Sequence, residues 1–280
     1  MKVLVTGGSG YLGTHVRRHF AADDYSRRGS SRDVLSLQDA KAVGEYDVVI
    51  HMAAAMSKDP SDADEVFLTN VEGTVNILRE VRPDAAFIFA SMRDVYGRFA
   101  DNYREVPESC PTLYAGQSAL EWSKLVAERY VEYYAHTRRF RSCIFRMSAV
   151  YAPLTEGTVP NFVTHYADSI NKGEPIALPD EGRPRRDILH VDDFSAACEA
   201  FVDSGLRHGL YNIGGGAANA LSLIDLVRKL EEVSGLEAII SPAQPPRPVP
   251  FGYVTDLTLI SRELGWTPRI SLEEGLRTLF

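Results

Sequence analysis

The stretch that decides the fold runs Val3-Leu4-Val5-Thr6-Gly7-Gly8-Ser9-Gly10-Tyr11-Leu12-Gly13. Its apolar start ends in glycines, which is typical of a buried parallel strand, and a helix is predicted from about Tyr11 to Ala22. In such a strand–loop–helix unit Gly7 permits the tight turn, Gly10 admits a pyrophosphate and Gly13 lets helix and strand pack closely. The helix N-terminus then offers free N–H groups and a positive dipole end. The loop therefore predicts a dinucleotide site that includes Gly7, Gly10, Tyr11, Leu12 and Gly13.

Strands and helices alternate along the chain after this loop. Buried strands are predicted at Val48–Met52, Ala86–Ala90 and Arg141–Met147, and helices at Asp62–Val81 and Ser118–Thr137. This alternation is typical of βαβ units with right-handed crossovers. We therefore predict an α/β fold with a doubly wound parallel (Rossmann) sheet.

The second half of the chain differs from the first in composition and in the length of its predicted elements. Proline, glycine and short elements cluster at 151–186 and 241–250, whereas Gly209–Gly214 resembles a strand that returns to the sheet edge. We predict a dinucleotide-binding domain of residues 1–150, to which 187–215 return. Residues 151–186 and 216–280 would form a smaller C-terminal substrate-binding lobe.

Composition narrows the possible partners. The chain has 280 residues, 45% of them hydrophobic, and a formal net charge of −8. That balance argues against disorder and against nucleic acid, which needs a basic face. The three cysteines have no metal-ligand spacing, so no metal site is predicted. With no membrane-spanning stretch and no signal-peptide pattern, we expect a cytoplasmic protein with a small-molecule substrate.

The residues after the second strand bear on the choice of cofactor. An NAD site commonly has an acidic residue about 20 residues after the glycine loop. If Asp24-Tyr25-Ser26 is the second strand, Arg27 and Arg28 follow its end, and a guanidinium suits a 2′-phosphate. We predict NADP(H), with NAD(H) left open and a solvated arginine loop as the alternative. Asp33 and Val34 could meet the adenine edge.

With these residues in view, the chain resembles the extended short-chain dehydrogenases/reductases, a group of NAD-dependent sugar-nucleotide epimerases, dehydratases and reductases. The resemblance covers nearly the whole chain, although the second strand and the substrate lobe are shorter than usual. The matching segments are Thr6–Gly13, His51–Ala55, Asn70–Thr74, Val95–Gly97, Ser123–Glu128, Arg146–Pro153, Arg186–Asp193 and Gly265–Pro268.

The resemblance implies further binding residues and an assembly. The additional cofactor-binding positions are Met52, Ala53, Ala54, Asn70, Ser91, Lys124, Ser148 and Val150. Arg183, Arg185 and Arg186 are candidate ligands for a substrate diphosphate, with an exposed basic turn as the alternative. The two long helices could also form a homodimer through their outer faces.

The catalytic positions depart from the family pattern. The family uses Tyr-x-x-x-Lys, in which the tyrosine moves the alcohol proton, together with a Ser or Thr that hydrogen-bonds the substrate oxygen. Lys124 matches the lysine, but Leu120 stands four residues before it, and Met92 stands at the Ser/Thr position. Neither side chain can exchange a proton. We therefore expect standard alcohol oxidation or ketone reduction to be impaired.

Three replacements for the missing relay are conceivable. Tyr114 lies in a stretch that resembles the usual tyrosine segment, although it is ten residues before Lys124. Asp94 stands where the related dehydratases keep a catalytic glutamate, and a carboxylate can act as a base. Third, bound water or the substrate's own phosphate could carry the proton. Ser91, next to Met92, is retained as a tentative group although its side chain would point elsewhere. The alternatives are a packed aromatic for Tyr114 and a solvated acid for Asp94.

Two functions remain open at this point. One is an atypical NADP(H)-dependent reductase, epimerase or dehydratase that acts on a small polar substrate such as a nucleotide sugar or a biosynthetic intermediate. The other is a non-catalytic dinucleotide-binding sensor or regulatory subunit, which the changes at Leu120 and Met92 would suit. Fold alone does not decide between them. His190, before Asp192 and Asp193, is interpreted as part of a helix start with aspartate caps rather than as a catalytic group.

Overall fold

The computed structural model describes all 280 residues. Its strands are β1 (Val3–Thr6), β2 (Asp23–Tyr25), β3 (Val48–His51), β4 (Ala86–Met92), β5 (Arg141–Met147), β6 (Ala149–Tyr151), β7 (Pro175–Ile176), β8 (Arg185–His190), β9 (His208–Ile213), β10 (Ala220–Ser222) and β11 (Ile239–Ile240).

The helices connect these strands and cover the sheets. They are α1 (Tyr11–His19), α2 (Arg27–Ser30), α3 (Leu37–Ala40), α4 (Ala63–Phe67), α5 (Gly73–Glu80), α6 (Ala119–Arg138), α7 (Phe162–Lys172), α8 (Val191–Asp203), α9 (Leu223–Ser234), α10 (Thr258–Leu264) and α11 (Leu272–Arg277). None of them combines the length and apolar character needed to cross a bilayer.

The main sheet has six strands in the order β2-β1-β3-β4-β5-β9. Every neighbouring pair is parallel. The chain passes from β1 to β2 on one side and then to β3 on the other, so the order reverses at β1. Ligands of open α/β sheets bind at such a reversal, outside the carboxyl ends of the strands. The predicted doubly wound parallel sheet is confirmed, and residues 209–213 of the predicted returning strand lie in the edge strand β9.

Alternate residues of the central strands bury opposite faces of the sheet. Val5 and Ile50 pack on the side of α1 and α8, which contributes Phe194. Leu4 and Val49 pack on the side of α5 and α6. Helices therefore cover both faces of the sheet, and for that reason the sequences of these strands are continuous apolar runs.

The predicted helix over residues 62–81 is interrupted. A π-helical turn at Leu68–Glu72 separates α4 from α5. Single π turns inside α-helices are frequent at functional sites. Here the turn carries Asn70, whose side chain shapes the candidate site described below.

The smaller lobe is built on a three-stranded sheet in the order β10-β8-β6. Strands β7 and β11 pair separately. Helices α7 and α9 bury Ile170, Leu226 and Leu230 against Ile176 and Ile188. This lobe therefore has its own apolar core beside the main sheet.

Two segments lie in a different lobe from the one predicted for them. Residues 187–190 lie in β8, which pairs with β6 and β10 instead of with the main sheet. In the other direction, Ile260 and Trp266 pack in the core of the large lobe. The indole Nε1 of Trp266 donates to the Asp193 carbonyl oxygen at 3.1 Å. The two lobes are thus more interleaved than the sequence indicated.

A buried ion pair links β5 to α6. Arg146 donates from Nη2 to Glu128 Oε2 at 2.6 Å and from Nε to Oε1 at 3.0 Å. Ser91 Oγ donates to Glu128 Oε1 at 2.5 Å, and Arg146 Nη1 donates to the Tyr96 hydroxyl at 3.0 Å. All four side chains are buried. Breaking such a pair leaves an uncompensated buried charge.

Replacing Glu128 alone should therefore destabilise the protein strongly. We expect Glu128→Leu to lower the free energy of unfolding by about 3–5 kcal/mol, because Arg146 would stay buried without its partner. The double variant Glu128→Leu/Arg146→Met should lose clearly less than the sum of the two single variants. Urea unfolding measures both quantities. Removal of the exposed pair partner Arg129 by Arg129→Leu is the control, and strict additivity at Glu128 and Arg146 would contradict the prediction.

Candidate functional site

The glycine loop presents an uncapped helix start at the reversal point of the sheet. Gly7 has φ +69°, and a Cβ there would lie 2.9 Å from the Ala53 Cα. A Cβ at Gly13 would overlap the Gly7 carbonyl oxygen. Gly10, the N-cap residue of α1, supplies no side-chain acceptor. The first-turn N–H groups therefore lack a side-chain partner, which is the arrangement that binds anions.

A cavity of about 300 Å³ extends from this loop toward β2 and β3. It is lined by Gly7, Ser9, Gly10, Tyr25, Ser26, Arg27, Arg32, Asp33, Val34, Met52, Ala53, Ala54, Ala55, Glu65 and Thr69. The structure thus brings eight residues predicted to bind cofactor into one groove: Gly7, Gly10, Arg27, Asp33, Val34, Met52, Ala53 and Ala54. We call this cavity the dinucleotide groove.

The far end of the groove contains residues that sequence reasoning missed. Tyr25 pairs in register with Thr6, so Ser26 is the first residue beyond the end of β2. Arg27 Nε lies 2.9 Å from Asp33 Oδ2. The Arg32 guanidinium lies 5.8 Å from the Tyr25 ring centre. The sequence did not show how β2 aligns with β1, because a strand of three residues gives too short a pattern to fix the register.

Arg28 does not line the groove, contrary to its predicted role. Its guanidinium donates to the carbonyl oxygens of Ser9 and Gly157. Arg28 therefore joins the glycine loop to the loop before α7. Both acceptors are backbone groups distant in sequence, so residue spacing could not indicate them.

Four other predicted cofactor residues do not line the groove and make structural contacts instead. The Tyr11 hydroxyl donates to the Ala152 carbonyl oxygen at 2.8 Å, and Ser148 Oγ donates to Asp187 Oδ1 at 2.5 Å. Val150 is buried in the core. Asn70, on the π turn, accepts from the Ala55 N–H at 2.8 Å and donates to the Ala55 carbonyl oxygen at 3.0 Å. Asn70 therefore fixes the loop after β3.

Lys124 lies on α6 beneath the end of β4. Its Nζ donates to the Ala90 carbonyl oxygen at 2.9 Å and lies 4.9 Å from the Phe89 ring centre. Burial lowers the pKa of Lys124 to about 8, against an opposing effect of the Glu128 carboxylate. Leu120, one turn earlier on α6, is fully buried. Met92 is the last residue of β4.

Two of the tentative catalytic groups do not meet Lys124. Ser91 uses its hydroxyl to donate to Glu128 in the buried network. Tyr114 is 73% exposed. The loop around Tyr114 is instead anchored by Gln117, whose Nε2 donates to the carbonyl oxygens of Val95 and Leu113, each at 2.9 Å. A tyrosine hydroxyl is therefore not placed beside Lys124 by this loop.

Asp94 belongs to an ion cluster that the sequence did not indicate. Lys58 Nζ lies 3.1 Å from Asp94 Oδ2 and 2.6 Å from Glu121 Oε1, and Arg93 Nε lies 3.1 Å from Asp94 Oδ1. Burial alone would raise the pKa of Asp94, but Arg93, Lys58 and Arg186 outweigh it and lower the pKa. Asp94 is therefore a held carboxylate and not the solvated loop acid considered above.

A second cavity, of about 550 Å³, lies near the other end of this cluster. Four arginines line it, namely Arg98, Arg104, Arg185 and Arg247, with Asp101 as the one acidic residue. Its remaining lining residues are Tyr103, Pro248, Val249, Phe251, Gly252, Tyr253 and Val254. We call it the arginine cavity. Such a concentration of guanidinium groups suits phosphate oxygens, and the aromatic rings offer stacking surfaces.

Of the three predicted diphosphate ligands, Arg185 lines this cavity, whereas Arg183 and Arg186 lie outside its lining. Arg183 is exposed and lies 2.7 Å from Asp180. Arg186 is buried and donates to the carbonyl oxygens of Phe251 and Pro250 at 2.6 and 2.9 Å. Arg186 thus holds the wall of the arginine cavity, and its neighbour Arg185 lines the space.

His190 caps α8 with its own ring, where aspartate caps were expected. Its Nδ1 accepts from the Asp192 N–H at 3.3 Å. Asp193 instead accepts from the N–H groups of Arg269 and Ile270, both at 3.0 Å. These residues therefore join α8 to the segment after α10.

The lowered pKa of Lys124 predicts a pH-dependent stability. Between about pH 8 and the ordinary lysine pKa of about 10.4, the unfolded chain holds a proton that the folded protein has released. Stability should therefore rise with pH there, by about 1.4 kcal/mol per pH unit relative to Lys124→Met. Urea unfolding of both proteins from pH 7 to pH 10 checks this. Parallel curves would show that Lys124 keeps an ordinary pKa.

Known proteins resemble this chain over most of its length. The sequence profile of the NAD dependent epimerase/dehydratase family matches residues 3–214. The chain is 26% identical to the CDP-paratose 2-epimerase of Salmonella typhi, over 100% of this chain and 98% of that protein. It is 30% identical to a dTDP-glucose 4,6-dehydratase of Streptomyces griseus, over 87% of this chain and 74% of that protein.

The similarity extends to a solved structure with ligands. MoeE5, solved in complex with UDP-glucuronic acid and NAD, has a TM-score of 0.85 to this structure at 25% identity. The match covers 100% of this chain and 97% of that one.

Proposed function

The chain belongs to the NAD-dependent epimerase/dehydratase family, and on that premise we propose that it is an oxidoreductase acting on a nucleotide sugar with a bound nicotinamide dinucleotide. The observation that carries the proposal is the placement of two binding spaces around one polar cluster. The loop that lines the dinucleotide groove with Ala53 and Ala54 continues to Lys58 of the cluster. At the other end, the Arg93 guanidinium lies 5.8 Å from the ring of Tyr253, which lines the arginine cavity.

The residues present fit a dinucleotide. The uncapped first turn of α1 would hold the pyrophosphate, and Ser26, Arg27 and Arg32 would surround the adenosine ribose. Lys124 would hold the nicotinamide ribose, as the family resemblance implies. When bound, the nicotinamide supplies or takes up a hydride at a substrate carbon.

NADP(H) is the cofactor that the far end of the groove favours. Ser26, not a carboxylate, stands at the end of β2, so no acid in that position repels a 2′-phosphate. Arg27 and Arg32 supply two guanidinium groups in the same groove. NAD, which MoeE5 binds in its solved complex, is the competing cofactor, and the affinities of the two can be compared directly.

Removing the Arg27 guanidinium should separate the two cofactors. We expect Arg27→Ala to weaken NADP(H) by about tenfold or more, the loss of a charge-assisted hydrogen bond, while NAD(H) affinity changes little. Isothermal titration calorimetry measures both affinities. Arg18→Ala, at an exposed position of α1, is the matched control. Equal losses for the two dinucleotides would contradict a 2′-phosphate contact.

The arginine cavity is proposed to take the nucleoside diphosphate of the substrate. Arg247 and Arg185 line it together with the ring of Phe251, and the Arg247 guanidinium lies 4.1 Å from that ring centre. One charged side chain in the cavity is acidic, Asp101, against four arginines. A diphosphate with a base attached would satisfy both the charge and the aromatic surface.

Variants of the cavity test this assignment. Arg247→Ala and Arg185→Ala should each weaken UDP-glucose and dTDP-glucose by about tenfold to a hundredfold, because each removes a charged donor to phosphate. Calorimetry with the free diphosphate UDP should show the same loss. Arg228→Ala removes an exposed arginine on α9 and should leave affinity unchanged. Wild-type affinity in both cavity variants would move the substrate elsewhere.

A homodimer is proposed from the outer faces of α4 and α6. Phe67 is 48% exposed there, and Trp122, Tyr130 and Tyr133 are exposed along one side of α6. Large aromatic side chains at a surface are typical of interfaces. These two elements overlap the segments 62–81 and 118–137 that the family resemblance implicates.

A further inference from the structure

The position where the family carries its proton-transferring tyrosine holds Leu120, and the next residue along α6, Glu121, belongs to the ion cluster of Lys58 and Asp94. We propose that Lys58, held between Asp94 and Glu121, donates and accepts the proton at the substrate oxygen. The inference rests on the function proposed above, since it concerns the reacting end of the same substrate.

Lys58 is fixed on one side and open on the other. Its ammonium lies 3.1 Å from Asp94 Oδ2 and 2.6 Å from Glu121 Oε1. The Lys58 side chain is 51% exposed, whereas Asp94 and Glu121 are 13% and 3% exposed. An ammonium has three N–H donors. Two meet the buried carboxylates, and the third remains for a substrate or a water molecule.

The cluster joins the two segments in which Leu120 and Met92 stand in place of the family's hydroxyl side chains. Glu121 directly follows Leu120 on α6, and Asp94 comes two residues after Met92 at the end of β4. Lys58 reaches both from the loop that leaves the dinucleotide groove after Ala55. Its ammonium therefore lies among the segments that would otherwise supply both the tyrosine and the Ser/Thr hydroxyl.

Glu121 is itself anchored, which limits the freedom of the cluster. Its Oε2 accepts from the Ser118 N–H at 2.7 Å in the capping box of α6. Arg93 holds the other oxygen of Asp94 at 3.1 Å. The two carboxylates thus have fixed positions, and Lys58 is oriented by both.

A lysine ammonium is an acid of similar strength to the tyrosine phenol that the family uses. The ordinary pKa values of a lysine ammonium and a tyrosine phenol are about 10.4 and 10. In the reducing direction, a substrate carbonyl carbon receives a hydride from a dihydronicotinamide, and the C=O π pair moves to oxygen. That oxygen takes a proton from Lys58 Nζ, so an N–H bond breaks as an O–H bond forms. Water then reprotonates the amine. In the oxidising direction the neutral amine takes the hydroxyl proton.

The charges around Lys58 give the two directions different pH dependences. Burial alone would lower the pKa of Lys58, but Asp94 and Glu121 together outweigh it and raise the pKa. Arg93 and Arg186 act on Asp94 from its other side. Lys58 is therefore an ammonium at neutral pH, ready to donate. Oxidation requires the neutral amine, so its rate should keep rising with pH beyond neutrality.

Two substitutions separate a catalytic role from a structural one. Lys58→Arg keeps a cation between Asp94 and Glu121, but a guanidinium does not give up its proton in proteins. Lys58→Met removes both the charge and the proton. If Lys58 only ties loops together, Lys58→Arg keeps wild-type behaviour. If it transfers the proton, both variants lose the reaction.

The reaction is followed with UDP-glucose and dTDP-glucose, each presented with NAD⁺ or NADP⁺, by nicotinamide absorbance in a single turnover. We expect both variants to be slower by about a hundredfold or more, the usual contribution of general acid–base catalysis. Calorimetry should show ligand affinities within about threefold of wild type. Lys229→Met, which removes an exposed lysine on α9, should match wild type in both measurements.

A spectroscopic measurement observes the amine directly. The chain has six lysines, so ¹⁵N-lysine labelling gives few side-chain signals, and the Lys58 signal is the one absent from Lys58→Met. It should titrate above the ordinary lysine value and at a lower pH in Glu121→Gln. It should also shift when UDP-glucose binds in the presence of NAD(P)⁺.

The possible failures are distinguishable. Wild-type rates in Lys58→Arg, or a Lys58 signal that ligands do not move, would overturn the role of Lys58. The role of Lys58 would also be overturned if the wild-type protein bound dinucleotide and nucleotide sugar but transferred no hydride between any of these pairs. That result would support the proposed binding sites and favour the sensor function. Failure to bind either ligand would instead overturn the proposed function itself.

Discussion

The structure depends on the close approach of α1 to β1, where Gly13 packs directly on the Gly7 carbonyl. A side chain at Gly13 would push the helix start away from the sheet, and one at Gly7 would collide with the backbone of Ala53 after β3. With both glycines in place, the first turn of α1 points its N–H groups into the crevice at which the strand order reverses. The groove, the loop after β3 and the position of Lys58 all follow from that crevice. The dinucleotide site is therefore marked by eleven residues, whereas the family to which the chain belongs is shown by the match over residues 3–214.

Much of this architecture could be predicted from the sequence, because buried parallel strands leave continuous apolar runs. The ends of β1, β3 and β5 fall within a residue or so of their predicted positions. The glycine loop likewise predicted the floor of the groove, since its spacing is local. The ion cluster could not be predicted in the same way. Lys58, Asp94 and Glu121 come from three separate loops and helices, and no pattern within any one of them signals that they meet.

Strand alternation explains a second limit. Neighbouring residues of a strand point to opposite faces, so only one of Arg185 and Arg186 can line a cavity at a time. The sequence named both of them as candidate phosphate ligands and could not choose between them. The structure places Arg185 at the arginine cavity and buries Arg186 against backbone carbonyl groups behind it. A shift of one residue along β8 would exchange their roles, and only the pairing of β8 with β6 and β10 determines which face is which.

The return of α10 and Trp266 to the large lobe has a consequence for how the protein is assembled. The indole bonded to Asp193 and the buried Ile260 come from a part of the chain that follows most of the smaller lobe. When all the strands of the main sheet have been synthesised, the nascent chain still lacks part of the apolar core on one face of that sheet. The lobe of the main sheet therefore completes its apolar interior only when residues 258–266 have packed against it, so a fragment that ends before α10 would lack part of that core.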